Sequence, residues 1–172
     1  MQHLVGRKLP DVALASTGGG EENLACIQGR AVIFCYPWTG RPGHPNPPDW
    51  DIIPGAHGST PQALAYSMAR ARFRDIGVKL FGLSSQDLEW QQEFAARNQL
   101  TCALLSDAQL KFATALGLPM FTTGGVSYLK RLTLITRDSM IEAVRFPVPA
   151  PDKDAEDVLA VLRNNSLAAN HR

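Results

Sequence analysis

A serine at the start of a long helical pattern is the residue at which chemistry is expected. Ser59 or Thr60 can cap this helix through its hydroxyl, and Pro61 suits the first turn because its missing N–H costs nothing there. The side chain at position 59 is therefore predicted to lie where backbone N–H groups and the positive end of the helix converge. Such a place favours an anion, a capping hydroxyl or an activated thiolate.

Two histidines precede Ser59 in the same loop and suggest other chemistries. His57 lies two residues before the serine, which raises the hypothesis of a hydrolase in which histidine activates a serine. Against it, the sequence has no Gly-x-Ser-x-Gly elbow and no evident orienting acid. His44 and His57 could share a metal ion, but no further ligands can be named. We expect no metal, and the simplest interpretation of Ser59 is a helix cap.

The three cysteines are spread along the chain without a C-x-x-C pair, which argues against a disulfide framework and a zinc site. Cys35 falls within an apolar run and is predicted to be a core residue. Cys26 has no cationic neighbour nearer in sequence than Arg30, and we expect no redox role for it.

The composition is that of a soluble globular domain. The 172 residues are 45% hydrophobic and 19% charged, with a net charge of +1, which gives no case for binding nucleic acid or a membrane surface. No apolar run approaches the roughly 20 residues of a membrane span, and residues 1–7 lack the apolar core of a signal peptide. We expect one cytoplasmic domain over residues 1–172, with a core at 4–165 and a frayed tail at 166–172.

The elements that must position Ser59 alternate between strands and helices. Residues 31–36 form a near-continuous apolar run, typical of a central strand covered on both faces. Residues 38–58 are rich in proline and glycine, and a loop of that length is usually functional or mobile. We predict further strands at 12–15, 78–83, 101–105, 126–136 and 140–146, and helices at 62–75, 87–98, 106–116 and 154–164. This order implies an α/β sheet with helices on both faces and an antiparallel end.

Five segments, taken in order, resemble one known family. They are residues 6–14 (G-x-x-x-P-D-x-x-L), the strand 32–37 ending in Tyr-Pro, residues 77–84 (close to G-V-x-V-x-G-L-S), Leu-Leu-Ser-Asp at 104–107 after Phe94, and the strand 130–135 that contains Arg131. Over about residues 4–165 the chain thereby resembles the peroxiredoxins. Within that family it is most similar to the bacterioferritin-comigratory and alkyl-hydroperoxide-reductase members. The resemblance implies a thioredoxin-like fold of the peroxiredoxin variant, with a central mixed β-sheet flanked by helices.

The family's chemistry is thiol-dependent reduction of peroxides. A cysteine at a helix start is held as a thiolate by the helix end and an arginine, attacks the O–O bond and becomes a sulfenic acid. The resemblance implies hydrogen peroxide or an organic hydroperoxide as substrate and a thioredoxin-like protein or small thiol as reductant. It implies no metal, flavin or haem, and it makes a homodimer plausible.

Carried over residue by residue, the family's site is only partly present. Ser59, between Gly58 and Thr60, stands at the attacking cysteine, and Arg131 stands at the family arginine. Leu64 occupies the position where relatives often carry a second, resolving cysteine. Cys102 stands where relatives carry phenylalanine or another apolar residue, so the resemblance implies a core position for it.

The threonine and proline that precede the family cysteine are also displaced. Ala56 and Ile52 occupy their positions, so we infer an insertion over about residues 38–50 that makes Pro37 and Thr39 the corresponding pair. By this resemblance Thr39 or Thr60, together with loop N–H groups such as that of Gly58, would position the peroxide.

A serine cannot perform the thiol's reaction, because an alcohol ionises far above the thiol pKa of about 8.5 and has no counterpart of the sulfenic acid. We therefore expect the chain to be inactive as a peroxidase as written. Two explanations stay open, a deliberate Cys→Ser replacement and a natural loss of catalysis. The alternative functions are a non-catalytic pseudoenzyme that binds a partner or an oxyanion at the inherited pocket, and a scaffold without a small-molecule site.

Overall fold

The computed structural model describes residues 1–169, and the side chains of residues 1–165. The nine strands are β1 (Ala13–Ser16), β2 (Glu21–Asn23), β3 (Arg30–Cys35), β4 (Val78–Ser84), β5 (Ala103–Ser106), β6 (Met120–Thr123), β7 (Val126–Leu129), β8 (Leu132–Arg137) and β9 (Met140–Arg145). The helices are α1 (Ser59–Asp75), α2 (Leu88–Arg97), α3 (Lys111–Leu116) and α4 (Asp154–Ala169), with single 3-10 turns at Gln2–Leu4, Leu24–Cys26 and Pro151–Lys153.

Seven strands form one mixed sheet in the order β2-β1-β5-β4-β3-β8-β9, and β6 and β7 form a separate two-stranded ribbon. β3, β4 and β5 run parallel, while β8 and β9 add an antiparallel end. The predicted α/β fold, a central mixed sheet flanked by helices, is thereby confirmed.

The central strand β3 is buried on both faces, as its unbroken apolar sequence predicts. Val32 and Phe34 pack with α1 and α4 on one face. Ile33 and Cys35 pack on the other face with α3 and the N-terminal segment. Each face therefore has its own core, and β3 holds the two together.

Helix α1 begins one residue after a left-handed glycine. Gly58 has a φ of 108° and precedes the first helical residue, and no described side chain caps the helix. The prediction that the hydroxyl of Ser59 or Thr60 caps α1 is therefore wrong. The glycine is needed for space as well as for its backbone angle, since a Cβ at position 58 would lie 2.8 Å from Cγ of Pro151.

Two predicted elements differ in detail, and two strands were missed. The single strand expected over 126–136 is two strands, β7 and β8, and the chain turns between them at Lys130, whose N–H donates to the Pro119 carbonyl. β6 and β2 were not predicted. The helix expected from 106 begins at Lys111, although Asp107 does accept from the N–H groups of Phe112 and Ala113.

The last helix is longer than predicted. α4 continues to Ala169 rather than ending near residue 164, so part of the expected tail is helical. Residues 170–172 of that tail lie outside the described residues. Within the part of the chain that the structure describes, no helix is long and apolar enough to cross a membrane.

Candidate active site

Two elements distant in sequence bring Ser59 and Arg131 together. Residue 59 starts α1 after the long loop that leaves the end of β3. β8 pairs antiparallel with β3, and Cys35 lies opposite Leu132 in that register. Arg131 is therefore held at the end of β3 where the loop begins.

The guanidinium of Arg131 contacts the serine directly. Its Nη2 donates to Ser59 Oγ at 3.1 Å, and both residues are almost fully buried, at 5% and 3% exposed. Burial lowers the pKa of Arg131 to about 10, which still leaves it charged at neutral pH. The atom at position 59 thus faces a buried positive charge at the start of a helix.

Arg131 also closes the loop over this site. Nη2 donates to the carbonyls of Gly55 at 3.2 Å and His57 at 3.0 Å, and Nη1 donates to Oε1 of Gln62 at 2.6 Å. The buried Nε has no hydrogen-bond partner among the described residues. The arginine therefore both faces Ser59 and fixes the chain that precedes it.

A fully buried carboxylate lies behind the arginine. Asp154 accepts hydrogen bonds from the hydroxyls of Tyr66 and Thr133, each at 2.6 Å, and from Arg145 Nε at 2.9 Å. Its Oδ2 also accepts a longer bond, 3.4 Å, from the amide of Gln62. Burial and Asp154 raise the pKa of Tyr66 well above its ordinary value, so this phenol stays a donor. Gln62 thus connects Arg131 to the carboxylate of Asp154, since it accepts from the guanidinium and donates to Asp154.

Sequence reasoning did not identify Gln62 and Asp154. The position of Gln62, one helical turn after Ser59, was the signal that could have suggested it, because residues three apart share a helix face. Asp154 reads in the sequence as an ordinary acidic residue in a first helical turn, and only the packing of α4 against α1 shows that it is buried.

The other predicted site residues lie in different environments. The hydroxyl and the N–H of Thr39 both donate to Oε1 of Gln86 at 3.0 Å, so the hydroxyl proton is already engaged by another residue. The carbonyl of Pro37 accepts from Ser84 Oγ at 3.3 Å. Thr60 is half-buried in the first turn of α1, next to Ser59.

The two histidines of the loop contact residues other than Ser59. His57 Nε2 lies 2.7 Å from Oδ1 of Asp51 on an exposed part of the loop. His44 packs edge-on against Trp90, with ring centroids 5.2 Å apart. Among residues 1–169 no group of three or more His, Cys, Asp or Glu residues is arranged to hold a metal ion.

The cysteines lie where the sequence predicts. Cys35 and Cys102 are buried and Cys26 is exposed. Burial raises the pKa of the Cys102 thiol to about 12 and that of Cys35 further still. The two buried thiols are therefore inert core residues at neutral pH.

Aromatic side chains anchor the long loop against the β6–β7 ribbon. Trp50 is 4% exposed and packs edge-on against Tyr128, with Ala56 in the same buried cluster. Trp38 packs against Trp50 at 5.6 Å between ring centroids. The segment inferred to be an insertion, residues 38–50, thus packs against the β6–β7 ribbon and against Ala56, three residues before Ser59.

The Redoxin family model matches residues 4–162 of the chain. The chain is 22% identical over 160 residues to peroxiredoxin Q, chloroplastic, of Oryza sativa subsp. japonica, and equally to a putative peroxiredoxin Q, chloroplastic, of subsp. indica. These matches cover 92% of the chain but 66% of each relative, so the chain spans just under two thirds of their length.

Solved structures share the fold over nearly the whole chain. A cysteine-to-serine mutant of Xylella fastidiosa PrxQ superposes with a TM-score of 0.75 at 21% identity, covering 94% of this chain and 96% of that one. Peroxidoxin BcpB of Mycobacterium tuberculosis gives a TM-score of 0.73 at 24% identity, covering 93% and 96%. The bacterioferritin comigratory protein of Xanthomonas campestris, solved in trapped intermediate and ligand complexes, gives 0.70 at 23% identity, covering 92% and 96%. The family resemblance predicted from the sequence is confirmed.

Proposed function

Since the chain belongs to the Redoxin family and has the fold of the peroxiredoxin Q and bacterioferritin-comigratory proteins, we propose that Ser59 and Arg131 form a thiol-peroxidase site that is silent as written. The observation that carries the proposal is the 3.1 Å contact between Arg131 Nη2 and Ser59 Oγ at the start of α1. A cation and a helix start converging on one side-chain atom are the conditions that turn a thiol into a thiolate.

With cysteine at position 59, each group has a definite task. The helix end and Arg131 lower the pKa of the thiol, and the thiolate attacks one peroxide oxygen. An S–O bond forms as the O–O bond breaks, so sulfur is oxidised to a sulfenic acid and the peroxide is reduced. Arg131 stabilises the charge on the leaving oxygen, which takes a proton from solvent and departs as water or an alcohol. A thioredoxin-like protein or small thiol then supplies two electrons that restore the thiol.

With serine at position 59 the first step, attack on the peroxide, does not occur. The hydroxyl is not ionised beside Arg131 at neutral pH, because an alcohol starts many pH units above a thiol, and oxygen cannot take up the peroxide oxygen as sulfur does. The site therefore has the helix start and the arginine that would stabilise a thiolate, but it has no sulfur atom at position 59.

For the peroxide itself we propose the first turn of α1 as the binding surface, with Thr60 and the N–H groups that follow Gly58. Thr39 and Pro37 are the positions that the family pattern suggests. Recruiting Thr39 would require its hydroxyl to leave Gln86, and Pro37 would act by shaping the start of the loop.

A non-catalytic role at the same pocket is the second candidate. An oxyanion bound beside Arg131 would have to replace loop carbonyls that already accept from Nη2, those of Gly55 and His57. The carbonyl contacts therefore favour Arg131 as a closed structural anchor in the serine form over a free anion site.

The test is peroxide consumption by the purified chain and by Ser59→Cys, with dithiothreitol as the reductant. We expect turnover from Ser59→Cys and none above buffer from the original chain or from Ser59→Ala. Absence of turnover from a folded Ser59→Cys protein would overturn the proposal. Activity of the serine chain equal to that of Ser59→Cys would overturn the claim that it is silent.

A further inference from the structure

A concave site lies beside the long loop, between Trp38, Trp90 and Tyr128. It is a cavity of about 180 Å³, and its lining is completed by Ser85, Gln86, Asp87 and Val126. One water takes a share of about 30 Å³ in the liquid, so the cavity has room for a group of several heavy atoms. It is smaller than the roughly 300–1,000 Å³ pockets that hold drug-sized ligands.

The walls of this cavity are aromatic and fixed. Trp38 and Trp90 have ring centroids 5.8 Å apart, and the indole N–H of Trp90 donates to the Thr39 carbonyl at 2.8 Å. Gln86 on the floor is held by Thr39 through both ends of its amide. The side chains of such a preformed site lose little conformational entropy when a ligand binds.

The lining of the cavity carries one formal charge, and it is negative. Asp87 is the one charged residue among the described residues that line it. Its Oδ1 accepts from the N–H of Trp90 at 2.8 Å, which removes a helix donor that an anion would need. Aromatic rings attract cations through their faces, and the Trp90 ring already does so with Arg41, whose guanidinium carbon lies 5.4 Å from the ring centroid. The charge of Arg41 is matched elsewhere by Glu89 and Glu93.

From this combination we infer that the cavity binds a small methylated ammonium cation. Three aromatic walls and a single carboxylate attract a cation through its charge and its apolar methyl groups. A bare primary ammonium would lose water from three N–H donors and find one carboxylate in return, which disfavours it. The ligand class is therefore a small quaternary or trimethylated ammonium compound. This inference does not depend on Ser59 chemistry.

The first experiment compares the binding of choline with that of 3,3-dimethyl-1-butanol, a neutral compound of the same shape. The difference in affinity reports the contribution of the positive charge. Binding to the full chain is measured by calorimetry at constant ionic strength, and its place by NMR shifts of the Trp38 and Trp90 indole N–H signals. We expect saturable binding of choline in the millimolar range, with the isostere at least about tenfold weaker. Equal affinity for the two, or no saturation by choline, would overturn the inference.

Matched variants test the carboxylate and the aromatic wall. Asp87→Asn keeps a good helix cap and removes the charge, and Asp75→Asn at the exposed end of α1 is its control. We expect choline affinity to fall at least about threefold for Asp87→Asn and to stay unchanged for Asp75→Asn. Trp38→Leu keeps an apolar wall without the aromatic face and should lower affinity further. Unchanged choline affinity in Asp87→Asn would refute the inference, whether or not Trp38→Leu folds.

Discussion

Arg131 Nη2 lies 3.1 Å from Ser59 Oγ, across 72 positions of sequence. The contact follows from the sheet, because the register of β8 on β3 places residue 131 at the point where the loop to α1 begins. The same guanidinium donates to loop carbonyls and to Gln62, so one buried cation serves the fold and the candidate chemistry together.

Replacing Arg131 by methionine should therefore cost stability as well as any activity gained at position 59. The amide oxygen of Gln62 would lose its donor in a buried place and the carbonyl of His57 in a partly buried one, and we expect the free energy of unfolding to fall by about 3 kcal/mol. Urea denaturation measures this. Arg137→Met is the control, since Arg137 is half exposed in its pair with Glu142 and should cost less than about 1 kcal/mol. Equal losses for the two variants would contradict the role assigned to Arg131.

Two glycines flank the same arginine and allow backbone strain to be separated from a steric clash. Gly58 and Gly55 both have positive φ, but a Cβ at Gly58 would meet Pro151 whereas one at Gly55 would meet nothing within 4 Å. We expect Gly55→Ala to lower the free energy of unfolding by about 1 kcal/mol and Gly58→Ala by about 3 kcal/mol. Urea titration of both variants checks the difference, and a loss for Gly55→Ala as large as that for Gly58→Ala would show that the contact with Pro151 is unimportant.

The buried carboxylate behind Arg131 has a neighbour that serves as its control. Asp154 and Asp157 both accept from Arg145, but Asp154 is fully buried and also accepts from Tyr66 and Thr133. Asp154→Asn would set an amide among hydroxyl donors, and we expect it to lower the free energy of unfolding by about 3 kcal/mol. Asp157→Asn should change it by less than about 1 kcal/mol. Thermal and urea unfolding of the pair measure the difference, and similar values for both would be inconsistent with this network.

Stability should fall at alkaline pH, and Cys102 should account for part of the fall. Burial raises the pKa of the Cys102 thiol in the folded protein to about 12. In the unfolded chain the same thiol has a pKa of about 8.5. Between these two pH values only the unfolded state loses the thiol proton. The stability from this group is complete below about pH 8.5 and is lost as pH rises towards 12. Its largest slope is about 1.4 kcal/mol per pH unit.

Denaturation of the parent chain and Cys102→Ala between pH 8 and pH 10.5 measures this contribution. We expect a shallower decline for Cys102→Ala than for the parent. Cys26→Ala removes an exposed thiol and should leave the slope unchanged. A decline in Cys102→Ala as steep as in the parent would rule out the assignment.

The sequence predicted the parts of the fold that depend on local pattern. The apolar run at 31–36 forms β3 as far as Cys35, and α1 ends at Asp75, two residues before Gly77. The pairing of Ser59 with Arg131 was suggested by family resemblance, since nothing local in either segment points to the other. The hydroxyl of Ser59 fails as a cap because Gly58 holds the cap position and Ser59 is already the first helical residue.

What the sequence did not predict depends on tertiary packing. Asp154 is polar and opens a helix, so no pattern distinguishes it from a solvated residue until α4 packs on α1. The segment from Trp38 to Trp50 has no periodicity, and its order comes from aromatic contacts with the ribbon and with α2. The cavity beside Trp90 exists only once those contacts have formed.

The most direct test of the site is to locate the sulfenic acid in Ser59→Cys after brief peroxide treatment. Intact mass and peptide mapping with dimedone, which labels sulfenic acids, identify the oxidised residue while the three native cysteines serve as internal controls. We predict one peroxide-dependent adduct at position 59, faster than any at Cys26, and no adduct at 59 in the original chain. A folded Ser59→Cys protein that is labelled at Cys26 and not at position 59 would contradict the assignment of this corner as the peroxidase site.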